Sequence, residues 1–279
     1  MTGASPAEAR LQDAADIAAA AAKAALRFFR GRLGIEFKAD ESPVTQADRG
    51  VEAEVRRLIA DRFPGHGLYG EEHGIEGGDA RALWVIDPID GTRSFISGHP
   101  LFGFLLSHLV DGRTRLAAVG MPALGEIYTA ERGKGAFYGA ERLKTSGRSD
   151  LKSATIYVNE GEKIWRAHPQ TFARIMSAGT TRRFSYDCYP YALLAMGHVD
   201  LVIDFDLQPY DYLAVSLLVE EAGGVMTDWR GGRLSMGENV ATVAAASPEL
   251  HRAALALLAD RPPRQPCTGR MADPCISWV

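Results

Sequence analysis

Apolar positions along this chain follow two rhythms. Near the N-terminus, Ser5-Pro6-Ala7-Glu8 carries the signs of a helix start, with a capping serine, a first-turn proline and a glutamate three residues after the cap. The spacing predicts a helix from there to about Arg30, stopped by Gly31. A second helix is predicted behind Thr45 as cap, with Val51, Val55, Leu58 and Ile59 at helical spacing and Pro64-Gly65 ending it. The rhythm then changes. Leu83-Trp84-Val85-Ile86 is a short apolar run ending in Asp87, which reads as a buried strand whose C-terminal end faces a cleft, followed by a turn at Pro88 and Gly91. Further strands are predicted at 102–109, 115–121, 126–130 and 136–138, with turn signals such as Asp111-Gly112 between them. The first half thus reads as helices on a largely antiparallel sheet.

The second half alternates. Strands are predicted at 155–158, 199–204 and 241–246, and helices at 169–178, 190–197 and 211–222. That alternation predicts a second α/β layer. The expected division is an N-terminal lobe, 1–148, a C-terminal lobe, 149–260, and a poorly ordered polar tail, 261–279.

Composition narrows the picture. A chain of 279 residues, 46% hydrophobic, can bury a large core. Its net charge of −4 and lack of a basic stripe argue against nucleic acid as the main partner. An acidic protein that binds an anion needs local cations, and a bound metal is a simple source. Cys188, Cys267 and Cys275 have no disulfide or metal-knuckle spacing and read as reduced thiols. No stretch suits a membrane span. The Ala14–Ala25 run contains Asp16 and Lys23 and lacks a basic lead, so it reads as an amphipathic helix rather than a signal peptide, and a cytoplasmic protein is expected.

Four acidic segments carry the candidate chemistry. Asp87-Pro88-Ile89-Asp90-Gly91-Thr92 places two carboxylates on one tight turn, where hard cations find oxygen ligands. The N–H groups at the start of a helix after Gly91 would face an anion. Gly70-Glu71-Glu72-His73-Gly74 offers a further carboxylate pair, or simply a solvated acidic turn. Asp211 opens the 211–222 helix and alone reads as its cap, and Asp48 sits in the first turn of the second helix and alone reads as a partner of the helix dipole.

Taken in order, Thr45 to Asp48, Gly70-Glu71-Glu72, Trp84 to Thr92, then Asp211 with Glu221-Ala222-Gly223-Gly224, the pattern resembles the inositol monophosphatase superfamily. The resemblance implies an α-β-α-β-α layered fold, shared with fructose-1,6-bisphosphatases, and catalysis with two or three Mg²⁺ ions. It implies that Glu71, Asp87, the Ile89 carbonyl and Asp90 hold metals, with Asp211 on a second ion. It implies that Glu71, Thr92 and Asp48 orient or activate the attacking water, and that Asp90, Gly91 and Thr92 meet the phosphate. A homodimer is implied as well.

Within the superfamily, Arg93-Ser94-Phe95-Ile96-Ser97-Gly98 and Asp187-Cys188-Tyr189 resemble the histidinol-phosphate phosphatase branch. A substrate with an ammonium group and an imidazole wants carboxylates at its far end, so Asp187 and Asp204 are candidate partners. Arg183 would order that loop, reach a phosphate, or simply pair with Asp187. Inositol 1-phosphate is the alternative substrate, and Asp204 fits either. A metal-binding regulatory protein without turnover is the alternative of another class. Lys38 is a weaker candidate near the metals.

Overall fold

The structure is a computed structural model that describes residues 8–31, 35–37, 43–78, 80–237 and 239–259. Ser5, Lys38, Cys267, Cys275 and the 261–279 tail lie outside the described residues. Helix α1 (Leu11–Leu26) and the ribbon β1 (Ile35–Phe37) and β2 (Pro43–Thr45) precede α2 (Gln46–Arg62). There follow β3 (Gly67–Gly70), β4 (Gly74–Glu76), β5 (Ala82–Asp90), α3 (Thr92–Ile96), β6 (Gly103–Val110), β7 (Arg113–Met121), β8 (Glu126–Glu131), β9 (Gly135–Tyr138) and β10 (Glu141–Arg142). The remainder comprises β11 (Thr155–Val158), α4 (Gly161–Ala167), α5 (Pro169–Met176), β12 (Thr181–Phe184), α6 (Tyr189–Ala195), β13 (Leu201–Leu207), α7 (Pro209–Glu221), β14 (Val225–Asp228), β15 (Val240–Ala245) and α8 (Pro248–Leu258).

Two sheets carry the fold. The first has the order β10-β9-β8-β7-β6-β5-β3-β4 and is antiparallel except for β3 beside β5. The second has the order β12-β11-β13-β15-β14. Strand β5 is buried on both faces. Trp84 and Ile86 pack into the cluster under α1 and α2, while Leu83 and Val85 pack into the cluster under α7. That double burial is why the sequence shows an unbroken apolar run there instead of alternation. Helix α7 is buried along Tyr212 to Val219 and lies between the two sheets. A helix walled on every side must be apolar all round, and this one is. The outer layer joins α4, α5 and α8 to the far face of the second sheet through Ile164, Ile175, Leu250 and Leu258. Five layers result, helices alternating with sheets, as the resemblance implied.

Several predicted boundaries shift. Residues 8–10 are not helical, and α1 begins at Leu11, where the Arg10 N–H donates to Asp13 Oδ2 at 2.9 Å. Helix α7 begins at Pro209, with Asp211 in its first turn rather than at its cap. The turn expected at Pro88 is instead a continuation of β5 through a register shift between Asp87 and Asp90. Strands β12 and β14, absent from the sequence reading, are sheet edges. Edge strands bury little and so carry little apolar pattern. The apolar pattern predicts no helix at α8, although Ser247 caps it by accepting the Leu250 N–H at 3.1 Å.

One buried ring is poorly served. His108 on β6 is 4% exposed, and neither ring nitrogen has a hydrogen-bond partner among the described residues. It stacks on His66 at 5.3 Å and lies 4.4 Å from the Trp84 ring. Burial, and then the neighbouring charges of His66 and Arg115, push its pKa down to about 4. The folded value is below the unfolded one, so stability is complete above about pH 6.5 and falls as pH drops toward the folded value. By about pH 5 the loss is about 2 kcal/mol. His108→Phe is therefore expected to flatten the difference in urea midpoint between about pH 7.5 and about pH 5. An unchanged pH dependence in that variant would count against this account.

Candidate active site

The C-terminal end of β5 and the first turn of α7 come together at one end of the strands of the first sheet. The register shift after Asp87 lets Asp87 and Asp90 turn toward the same point, although three residues separate them. Asp211 comes to the same point from α7. One ligand oxygen from each of Asp87, Asp90 and Asp211 lies within 4.8 Å of the others. Ile89, between the two strand carboxylates, turns its side chain into the core and is 1% exposed. Its N–H donates to Asp87 Oδ1 at 3.0 Å, which fixes that carboxylate. Asp211 Oδ2 accepts the Gln208 N–H at 2.7 Å, so from the first turn it closes the capping box of α7 and joins the cluster at once.

No lysine or arginine pairs with any of the three among the described residues. Asp87 and Asp90 are both held well above the usual carboxylate range, first by burial and then by the charges around them. Burial, with the charges of Glu71 and Asp204, pushes Asp211 up to about 8. All the donors are oxygen, and their negative charge is unanswered by the protein. That is the donor set of a hard divalent cation. Glu71, just after β3, lines the same cavity but stands outside the tight triad. Its charge is felt by Asp87, Asp211 and Tyr210.

Thr92 begins α3 with its hydroxyl 3.1 Å from Asp48 Oδ1 and 3.3 Å from the Ile89 carbonyl oxygen. The other Asp48 oxygen accepts from the Thr45 N–H at 2.8 Å and the Thr45 hydroxyl at 2.6 Å. Asp48 is fully buried and does not line the cavity. It therefore caps α2 and also holds the Thr92 hydroxyl from behind, so any reach to the site runs through Thr92. The N–H groups at the start of α3 have no intrahelical acceptor. Gly91 precedes them with φ +85°, and a Cβ there would stand 2.2 Å from the Asp187 carboxylate. Conformation and space both demand glycine at this position.

The structure adds a residue that the sequence reading did not single out. Glu52 on α2 is fully buried and accepts the N–H groups of Glu72 at 2.7 Å and His73 at 3.2 Å. Arg56, one turn on, pairs with Glu52 at 2.7 Å and donates to the Gly74 carbonyl. Together they clamp the loop that carries Glu71. Gly70 has room only for hydrogen, because a Cβ there would stand 2.0 Å from Glu52 Oε1. A glutamate on the apolar face of α2, between Val51 and Val55, was the available signal.

The cavity over the triad measures about 540 Å³ and extends away from it to the C-terminal ends of β11 and β13. Asp187, with φ +54°, lines it and accepts from the Ser94 hydroxyl at 2.7 Å. Burial raises its pKa to about 6, against the lowering effect of Ser94. Asp204 also lines it, but its oxygens are engaged by Asn159 Nδ2 at 2.8 Å, the Tyr191 hydroxyl at 3.0 Å and the Phe205 N–H at 2.8 Å. Burial raises Asp204 to about 7. Asn159, another residue missed in the sequence, also donates to the Asp187 carbonyl at 2.9 Å. It closes β11 as Asp87 closes the apolar run of β5, so the signal existed. Arg183 is a correction. It is exposed on edge strand β12, does not line the cavity, and forms no ion pair with Asp187 among the described residues. Five residues of chain do not bring it round to the carboxylates.

Residues 8–262 match the inositol monophosphatase family. The chain belongs to this family. Among its relatives, the histidinol-phosphatase of Chlorobaculum parvum is 40% identical over 225 residues, covering 79% of this chain and 86% of that one. The Nus factor SuhB of Escherichia coli is 34% identical over 223 residues, covering 78% of this chain and 82% of that one. Among solved structures, an inositol monophosphatase from Zymomonas mobilis superposes with a TM-score of 0.79 at 35% identity, covering 89% of this chain and 96% of that chain. This inositol monophosphatase family member is a metal-dependent phosphomonoesterase. No described helix is long and apolar enough to cross a membrane.

The cluster predicts a pH-linked response to cations. Without a cation, carboxylates whose folded pKa is raised cost stability as pH climbs from about 4 toward the Asp211 value of about 8. A cation competes with those protons. Added Mg²⁺ is therefore expected to raise the melting temperature more at about pH 8 than at about pH 6, and Asp87→Asn to remove most of the rise at both. A rise equal at both pH values would show that the triad is not where the ion acts.

Proposed function

We propose that this chain hydrolyses L-histidinol phosphate to L-histidinol and inorganic phosphate, using Mg²⁺ held by Asp87, Asp90 and Asp211, with Glu71 and the Ile89 carbonyl as further ligands. The observation that carries the substrate is the wall of the cavity away from the triad. Asp187, Asp204, Glu160 and Asp206 line it, against Lys163 and, beside Thr92, Arg93. Lys163 is occupied by Glu160 at 3.2 Å and Asp206 at 3.1 Å. A substrate with a cationic end is favoured over a neutral polyol in such surroundings. The 40% identity to a histidinol-phosphatase points the same way.

When bound, Mg²⁺ neutralises phosphoryl oxygens and lowers the pKa of water. The chain supplies the rest. Glu71 and the Thr92 hydroxyl, which Asp48 orients, hold the attacking water, and the Glu71 carboxylate receives its proton. The N–H groups of Gly91 and Thr92 donate to phosphate oxygens, which accumulate charge as the ester bond breaks. Asp187 accepts from the ammonium or the ring N–H of the substrate. Attack is direct and in line, since the chain has no Cys-x5-Arg loop and no Asp-x-Asp-x-Thr motif to form a covalent intermediate. The same reading includes two or three ions, a homodimer, a cytoplasmic setting, and lobes dividing near residue 148.

Inositol 1-phosphate is the second reading, supported by the 35% identity to the Zymomonas mobilis inositol monophosphatase and by Asp204, which suits a hydroxyl as well as a cation. Phosphate release decides between them. The value of kcat/KM for histidinol phosphate is expected to exceed that for inositol 1-phosphate by about tenfold or more. The opposite order would remove the substrate assignment and leave the phosphatase. No release from either, with Mg²⁺ still bound, would instead favour a binding role.

Asp187→Asn keeps the shape that packs on Gly91 and removes the charge. Its KM for histidinol phosphate is expected to rise about tenfold, with little change for a neutral phosphate monoester. Equal losses on both substrates would place Asp187 outside recognition.

A further inference from the structure

Another concave region lies at the opposite end of β5, beyond Arg81. The strand runs from Ala82 to Asp90, so about 25 Å separate the two ends. Two adjoining recesses open there, of about 280 Å³ and about 620 Å³, and they share Asp111, Arg113 and Arg132. Their charged lining consists of Arg81, Arg113, Arg115, Arg132 and Arg233 against Asp111 and Glu220. The whole chain carries −4, so this is a local concentration of cations on an acidic protein.

Some of these arginines are committed and others are not. Arg81 pairs with Asp111 at 3.1 Å, and Arg132 pairs with Glu220 at 3.1 Å while donating to the Thr114 carbonyl at 2.7 Å. Arg113, Arg115 and Arg233 are exposed and form no ion pair among the described residues. The backbone beneath them is fixed. Asp111 and Gly112 have φ of 51° and 71°, the signature of a tight two-residue hairpin turn, and Val110 pairs with Arg113 directly across it. At Arg115 the ladder slips by one residue, with Thr114 opposite Leu109 and Leu116 opposite His108. Bulges of this kind re-aim side chains. The Arg132 N–H donates to the Arg115 carbonyl at 2.9 Å, which ties β7 to the turn after β8.

Unpaired like charges gathered on rigid backbone repel one another unless an anion joins them. Guanidinium groups stay charged at all working pH values and grip phosphate through paired N–H donors. The recesses are of small-molecule size. A long polyanion would have to leave them and run over a surface that is net acidic. The structure assigns this end of the sheet to binding a small compound with two or more linked phosphates, at Arg113, Arg115 and Arg233, remote from the carboxylate triad.

Equilibrium dialysis of inorganic triphosphate against the full-length protein, in a fixed excess of Mg²⁺, tests this. Saturable binding is expected, weakened about tenfold or more in Arg113→Ala/Arg115→Ala and, independently, in Arg233→Ala. Asp90→Asn, altered at the other end of β5, is expected to lose at most the binding at the carboxylate triad and to keep the saturable site that the arginine variants weaken. Melting curves confirm that each variant is folded, and phosphate release from a monoester without triphosphate should be unchanged in the arginine variants. Tighter binding of ATP than of triphosphate identifies the compound as a nucleotide, and equal binding identifies the phosphate chain alone. No saturable binding by the wild type, or binding that both arginine variants keep, overturns the assignment.

Discussion

Three carboxylates that repel one another are the constraint around which this molecule is built. Oxygens within 4.8 Å, each charged, cost about 3 kcal/mol per pair even at an effective dielectric of about 20. Left alone, Asp87, Asp90 and Asp211 would move apart or take up protons. They cannot move apart, because each is anchored by elements that cannot relax, and so they hold protons to higher pH than ordinary carboxylates do. Asp87 and Asp90 ride on a strand buried on both faces, and Asp211 is hydrogen-bonded into the first turn of a helix lodged between two sheets. The apolar core thus holds the acids together against their charge, and the strain makes the site avid for a divalent cation.

The same logic explains the residues behind the triad. Glu52 and Arg56 hold the loop of Glu71 through backbone N–H and carbonyl groups. Asp48 holds Thr92, and Asn159 holds the Asp187 loop to Asp204. None of these needs to touch a substrate to matter. The Glu221 carboxylate, at the far end of α7, accepts the N–H groups of Gly133 at 2.8 Å and Gly135 at 2.9 Å. It fixes the helix whose first turn carries Asp211, so the Glu221-Ala222-Gly223-Gly224 segment is partly architectural.

Gly91 is where the two halves of the site touch. Its missing side chain lets the Asp187 carboxylate settle against the loop that begins α3, and the Cys188 N–H donates to Asp90 Oδ2. The groups next to the cation and those at the far wall of the cavity are therefore set by one contact. A change at either would be felt at both, which suits an enzyme that must align a phosphate while choosing what is attached to it.

The sequence alone determined what depends on neighbours along the chain. The apolar run ending in Asp87, the Asp-Gly turn at 111–112 and the spacing of Asp87 from Asp90 are local patterns, and local patterns survive in one dimension. Glu71, Asp48 and Asp211 were legible because their motifs matched a family in order. Depth and direction were not legible. Asp48 lies behind Thr92 rather than in the cavity, Arg183 is exposed on an edge strand outside the cavity, and Glu52 and Asn159 act across 20 and 28 residues of chain. Only the folded packing of α2, β5, β11 and α7 decides those relations, because a hydrogen bond between distant segments leaves no periodic trace in either one.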